Sequence, residues 1–320
     1  MRVDGLRNKT MKKIGSIIFI LFLSFGAFAK NSYAEDQNVA KGFSVNPFFQ
    51  EVNLEKDQAD ATIEVEIANN TGNLAVLKLS VLDFGALDET GGVAFLGDSK
   101  DLTNKYSLAS WISLEKDGLV IGPGEKQVVK ATIQNKESLS PGGHYAAILA
   151  KLDVGENSSE QDSSKVALNS SFSSLIFARK LGGEVYGLTL KEQEITKGVF
   201  GLPTTARLRF QNTGNVYVTP RGVVTLTDPM GREVARGIID EESALVLPET
   251  FRVFPTQMRE MAMAFVPGRY NLSTQYRYDG QDDFVTVQQN IFIIPNLDVW
   301  ALLAVIVIIY ISFKIKRRKK

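Results

Sequence analysis

His144 is the only histidine in the 320 residues, and there is no cysteine. A disulfide framework, a thiol nucleophile, a lipid-bearing cysteine and any site needing two imidazoles are therefore excluded. His144 lies between Gly143 and Tyr145, where a strand should begin. A catalytic base there would need a positioned nucleophile and an orienting carboxylate, and no such motif surrounds it; a structural or solvent-facing histidine is expected. In "YDGQDD", Asp279, Asp282 and Asp283 gather carboxylates of the kind calcium takes. Their spacing is not that of an EF-hand loop, and Asp-Gly between alternating strands is first a hairpin turn. "GALDETGGVAFLG" brings Asp88, Glu89 and a Gly-Gly pair without the lysine or strand-to-helix setting of a phosphate loop. The acidic run from Asp240 to Ser243 reads as solvated. No Gly-x-Ser-x-Gly occurs, which leaves an unannounced Ser-Lys dyad as the one catalytic alternative. No catalytic, cofactor, metal or ligand-binding residue is assigned, and the chain is not expected to be an enzyme.

The formal net charge of zero conceals an uneven distribution. Residues 1–34 and 297–320 each hold six Lys and Arg against one acid, which leaves 24 basic and 34 acidic residues between them, a net charge of about −10. Such a body repels phosphate backbones, so nucleic acid is excluded as a partner. The ends suggest an address. Lys12 and Lys13, an apolar run from Ile14 to Phe25 and small residues at Ala29 and Ala34 form a secretory signal over residues 1–34, with a natural start at Met11. At the other end, 297–315 is apolar except for Asp298, Ser312 and Lys314. At helical rise it reaches roughly 28 Å, close to a bilayer core. The basic tail 316–320 then places the C-terminus in the cytoplasm and the body outside, a single-pass type I membrane protein. Leu247-Pro248-Glu249-Thr250 resembles a sortase sorting signal. Phe251 follows where that signal has glycine, however, and dozens of residues separate it from the apolar helix, so it reads as a strand entry.

What would hold any site is a succession of strands. "ATIEVEIA" puts Ile63, Val65 and Ile67 on one face, and "VLKLSVL", "KQVVKATIQ", "HYAAILAKL", "TARLRFQ", "RGVVTLTD" and "DFVTVQQNIFII" continue the habit between Gly and Pro turns. The tetrad Asn-Thr-Gly-Asn occurs twice, at 70–73 and 212–215, and each copy is followed downstream by a Pro-Gly bend and a tyrosine. The reading is one module built twice, with Asn70 and Gly72 matching Asn212 and Gly214, and Gly142 and Tyr145 matching Gly268 and Tyr270. Each tetrad would turn between neighbouring strands, its glycine at positive φ, and each tyrosine would return its hydroxyl to nearby backbone as a tyrosine corner does. Trp111 is expected to plug the first core. The fold class is all-β: an immunoglobulin-like sandwich over 36–183, a second over 184–295, then the single transmembrane α-helix. The polar stretch "VGENSSEQDSSK" is expected to be a long loop inside the first sandwich.

"FSVNPFFQEVNLEKDQADATIEVEIANNTGNLAVLKLSVLDFGAL", "YSLASWISL", "IGPGEKQVV" and "SPGGHYAAIL" resemble the N-terminal domain of the WxL-interacting proteins of Gram-positive bacteria. "FQNTGNVYVTPRGVVTLTDPMGREV" with "VPGRY" is similar, more loosely, to their second domain. The resemblance implies a membrane-held surface protein whose first domain is associated with peptidoglycan, whose second meets host or partner molecules, and which works with secreted surface proteins. It transfers no functional residue. The expected function is a membrane-anchored cell-surface binding protein presenting its sandwiches to cell-wall glycan or a partner surface protein. The alternative is a membrane-tethered chaperone or assembly factor for secreted proteins acting by β-strand addition.

Overall fold

The computed structural model describes residues 42–56, 59–96, 105–153 and 171–318. The signal-peptide region and the polar stretch starting at residue 154 lie outside the described residues. Ten strands make the first sandwich: β1 Phe43–Asn46, β2 Phe49–Leu54, β3 Ala61–Asn69, β4 Ala75–Ala86, β5 Val93–Phe95, β6 Ile112–Leu114, β7 Gly118–Ile121, β8 Lys126–Ile133, β9 Gly142–Leu152 and β10 Ser171–Lys180. One sheet runs β1-β3-β8-β6, and the other runs β2-β10-β9-β4-β5 with β7 also on β4. The alternation in β3 sends Ile63, Val65 and Ile67 inward. Its outward Glu64 and Glu66 meet Lys130 and Lys126 of β8 at 3.4 and 2.8 Å, cross-strand pairs that help fix the register. Facing them across the core are Leu77 and Leu79 of β4, Ala146, Ile148 and Ala150 of β9, and Ile176 and Ala178 of β10. Burial of large side chains here stabilises by about 1.5–3 kcal/mol each. Trp111 is not the plug of this core. It ends a short 3-10 turn, Ala109–Trp111, half-buried at the rim with Lys136 over its ring at 5.7 Å. Leu108, fully buried beside it, fills the interior instead.

β9 and β10 pair antiparallel, Ser171 opposite Lys151, so both strands belong to one sheet of the first sandwich. Residues 181–187 join it to the second. That sandwich comprises β11 Leu188–Thr196, β12 Thr205–Asn212, β13 Arg221–Thr227, β14 Glu233–Ile239, β15 Phe251–Gln257, β16 Arg259–Glu260, β17 Gly268–Arg277 and β18 Val285–Ile293. A three-stranded sheet β11-β12-β15 faces a five-stranded sheet β16-β14-β13-β17-β18. Phe210 of β12 is the central ring, 4.9 Å from Tyr276 and 5.8 Å from Phe254, both edge-on. The β13–β14 hairpin turns at Asp228–Gly231, where Asp228 accepts the Met230 and Arg232 N–H groups, an Asx-type turn that satisfies backbone donors locally.

A single described helix, α1 (Leu297–Arg318, 22 residues), follows the last strand. Its described side chains from Trp300 to Ile311 are all exposed and almost all apolar. Among the described residues no helix is long and apolar enough to cross a membrane, and the side chains at 297–299, 302, 312, 313, 315, 316 and 318 are outside those described. The helix expected at 297–315 is present, but a membrane span is not shown.

Candidate binding site between the sandwiches

The two tetrads do not occupy equivalent turns. In the first sandwich Asn69, the last residue of β3, donates Nδ2 to the Asn73 and Ile121 carbonyls and accepts the Thr71 N–H. In the second, Asn212, the last residue of β12, donates Nδ2 to the Val216 and Val246 carbonyls and accepts the Gly214 N–H. Asn212 therefore corresponds to Asn69, not to Asn70, which reaches Ser44 from the surface. Gly72 and Gly214 are consequently one residue out of step, and neither is among the positive-φ residues. Gly72 faces open space, whereas a β-carbon on Gly214 would sit 2.1 Å from the Val185 carbonyl oxygen. Close packing, not a left-handed turn, makes Gly214 a glycine.

That packing belongs to the domain junction. Asn215 binds the linker with its side chain, accepting the Val185 N–H at 2.7 Å and donating to the Gly183 carbonyl at 2.9 Å. Its own carbonyl accepts the Gly143 N–H at 2.8 Å. Gly142 has φ +123°, and a β-carbon there would meet Asn215 at 3.0 Å. The second tetrad thus ties the linker to the start of β9.

The two signature tyrosines lie on interior strands of their sheets, Tyr145 on β9 and Tyr270 on β17, but point differently. Tyr270 is two residues after Gly268, and its hydroxyl donates to the Val266 carbonyl at 2.7 Å, as a tyrosine corner requires. Tyr145 is three residues after Gly142, and in a strand one extra residue turns a side chain to the other face. Tyr145 therefore leaves its own core, where Ala146 and Ile148 point, and joins Phe84, Ala147, Phe177 and Tyr217. Its hydroxyl accepts the Tyr217 N–H of the second sandwich at 3.0 Å. Burial pushes the Tyr145 phenol well above its ordinary range, so it stays neutral.

Around this aromatic cluster lies a cleft of about 880 Å³ between the sandwiches. Phe48, Phe49, Phe84 and Phe177 line the first-sandwich side, and Tyr217, Leu245, Leu247 and Phe251 the second. Phe48 is 71% exposed. Among the polar groups that line it is Arg179, whose Nη2 donates to the Tyr217 hydroxyl at 3.1 Å and whose guanidinium lies over the Tyr217 ring at 5.3 Å. The Nε of Arg179 is buried with no hydrogen-bond partner among the described residues. Burial, then the bond to the Glu51 carboxylate, raises the Tyr217 phenol above its usual value. Arg179 and Glu51 thus bring opposite charges to the Tyr217 hydroxyl beside exposed aromatic faces.

The hairpin between β4 and β5 closes one side of the cleft. Arg209 of β12 is held by both Glu89 oxygens at 2.7 and 2.6 Å and by Glu192 at 2.9 Å, with its guanidinium 4.0 Å from the Phe251 ring centroid. The Glu89 carbonyl also accepts the Val253 N–H at 2.7 Å. Its bond to Arg209 holds the Glu89 carboxyl below the ordinary 4.5. A depressed folded-state pKa contributes stability that is complete above the unfolded value and is lost as pH falls through the folded one. The hairpin is therefore expected to loosen only as the pH falls below that ordinary value. The protection factor of the Val253 amide, with the intrinsic fall of exchange rate in acid divided out, should drop on acidification in the wild type and be low at all pH values in Glu89→Gln.

His144 is buried, 2% exposed, with Nδ1 3.1 Å from the Ser107 carbonyl and Nε2 2.8 Å from the Ser140 carbonyl. No nucleophile or carboxylate is among these partners, and its position is structural. Asp279 directs one oxygen to Arg221 at 2.8 Å and the other to the Thr219 N–H at 2.9 Å, which commits it to the junction rather than to a cation. Glu249, in the sorting-signal look-alike, pairs with Lys105 at 2.8 Å across the same junction. Missing from the sequence-level site residues were Phe48, Glu51, Phe84, Phe177, Arg179 and Tyr217. The signal was present in "HYAAILA" and "SSLIFA", unbroken apolar runs instead of alternation, which mark strands covered on both faces.

No family model matches the chain, and no curated protein matches it. Solved structures do. A chain from a chaperone and tip-adhesin complex of CFA/I fimbriae covers 80% of this chain and 100% of its own at 8% identity and TM-score 0.43. The class 5 fimbriae chaperone CfaA covers 80% and 100% at 9% and 0.38. The E. coli chaperone DraB covers 78% and 98% at 14% and 0.35. Likeness at this level leaves the chemistry of the cleft to its own residues.

Proposed function

We propose that this chain is an exported, membrane-tethered binding protein that holds an extended segment of a secreted surface protein in the cleft between its sandwiches. The observation that carries the reading is the cleft itself: aromatic walls, one of them mostly exposed at Phe48, around an arginine whose buried Nε has no hydrogen-bond partner among the described residues. Aromatic pockets with a few placed polar groups are the usual form of a recognition site, and arginine and aromatic side chains dominate binding energy in protein interfaces. Arg179 suits a carboxylate of the bound segment, and the apolar walls suit its side chains. The signal peptide, the helix at 297–315 and the basic tail supply the address, with the sandwiches outside and α1 as tether.

A second reading, assembly of secreted proteins by strand addition, has its own support. β2 pairs only with β10, in parallel, so among the described residues its other edge is open, and Phe49 and Glu51 on β2 line the cleft. A strand added there would extend the sheet along the cleft floor. An assembly factor's deletion should destabilise a specific secreted client, and unchanged client levels would sink this reading.

The binding reading is tested with the full chain, incubated separately with the secreted proteins of its own organism and with isolated cell wall. A secreted protein should be retained, and Phe48→Ser should weaken that retention about tenfold, the worth of one aromatic anchor. Retention of neither fraction refutes it. Retention of wall alone, weakened by Phe48→Ser, would make the cleft a glycan site, the other expected partner being peptidoglycan.

A further inference from the structure

The topology of the second sandwich sorts its loops between two ends. Residues 213–220, 240–250 and 278–284 meet the first sandwich, whereas 197–204, 228–232, 258–267 and 294–296 gather at the end from which α1 departs. Contacts confirm that gathering: the Gly201 N–H donates to the Ile294 carbonyl at 2.8 Å, the Met258 N–H to the Thr204 carbonyl at 2.9 Å, and Arg232 lies over the Phe265 ring at 5.5 Å. At this end the tips are apolar and solvent-facing: Val199 is 80% exposed, and Phe200, Met230, Met261, Met263 and Phe265 are all exposed. Loop tips in a soluble sandwich are normally polar, and a cluster of large apolar tips marks an interaction surface.

We propose that this end of the second sandwich rests on the bilayer, with those six side chains inserted at the headgroup level. The proposal rests on the tethered reading above and deepens it: the tether fixes not only where the protein is but how it stands. The choice of lipid over a protein partner comes from chain length. Only residues 294–296 separate Ile293 from α1, and three extended residues reach about 10 Å at most. A bilayer entered by α1 therefore lies within reach of the apolar tips, and a protein partner would have to fit into that gap. Exposed Lys197 and Arg269 stand among the tips with exposed Glu260, while Arg232 is paired with Asp228 at 2.6 Å, so the charge that remains at this end is slightly basic and does not oppose an anionic lipid surface. Docked in this way, the sandwich axis stands off the membrane and the cleft faces away from it.

The absence of cysteine makes the test direct. Full-length protein is placed in phosphatidylcholine vesicles containing phosphatidylglycerol, with an environment-sensitive fluorophore on a single cysteine introduced by Met263→Cys, Met230→Cys or, as control, Leu74→Cys in the first sandwich. Lipids carrying a spin label near the headgroup should quench the probes at 263 and 230 and spare the one at 74. Val199→Ser with Phe200→Ser should lower the docked population about tenfold or more, read as lost quenching at 263, because each large apolar side chain withdrawn from lipid costs roughly that much. Those variants should still float with the vesicles. Flotation without quenching at 263 and 230 overturns the docking and leaves the tether standing. Failure to float overturns both. Probes shielded from a water-soluble quencher but untouched by the lipid label would assign the patch to a second copy of the chain and refute the lipid surface.

Discussion

Tyr145→Ala should destabilise the protein by about 3–5 kcal/mol, the range for deleting a fully buried large aromatic side chain, and should do so by separating the two sandwiches. The ring lies 5.9 Å from Phe84, 5.4 Å from Phe177 and 6.4 Å from Tyr106, centroid to centroid. Removing it opens a cavity in the cluster that floors the cleft and leaves the buried Tyr217 N–H without its acceptor. Denaturant unfolding should show the loss as a lower midpoint and a transition that splits, since the junction no longer couples the sandwiches. Tyr145→Phe isolates the hydrogen bond: the packing survives, the N–H is orphaned, and the cost should be about 1–3 kcal/mol. A Tyr145→Phe protein as stable as wild type would show that the hydroxyl contributes nothing across the junction. In that case the tyrosine would be an aromatic filler only.

Gly214→Ala is expected to cost at least about 1–3 kcal/mol as an overpacking change, and Gly72→Ala essentially nothing. The tetrads that hold them are identical in sequence, so local propensity predicts the same outcome for both. The surroundings separate them. A β-carbon at 214 would lie 2.1 Å from the Val185 carbonyl oxygen and 2.9 Å from the Gly187 nitrogen, all backbone that cannot rotate away, whereas at 72 nothing lies within 4 Å. Thermal melts of the two variants against wild type decide the matter: equal shifts would mean that the tetrads are equivalent turns after all. Because Gly214 sits in the segment that pins the linker, its substitution should also raise exchange at the Val185 and Asn215 amides.

The all-β class was legible because period-two alternation depends only on which residue follows which. Ile63, Val65 and Ile67, or Leu208 and Phe210, report the sheet they lie in without reference to anything distant. The tyrosine corner at Tyr270 was legible for the same reason, its partner being four residues away. Trp111 misled because size suggests a central plug, while its place at the end of a 3-10 turn sets it on the rim. The tetrads misled because four identical residues say nothing of their phase relative to the strand end. Asn69 and Asn212 are the equivalent residues, and the match in sequence is displaced by one from the match in space.

By itself the sequence determined the all-β class of fold, the lack of thiol chemistry and the acidic character of the body, since each follows from composition or from short-range order. Only the tertiary structure decided that Tyr145 leaves its own core, that Asn215 and Gly214 knot the linker to β9, and that Phe49, Phe84, Phe177 and Tyr217 converge on Arg179 to form a cleft. It also gathered Val199, Met230 and Met263 at one end of the second sandwich. Those residues come from segments far apart in the chain, and what brings them together is the packing of one sandwich on another and the pairing order of strands. Both are long-range consequences of burial that no local pattern encodes.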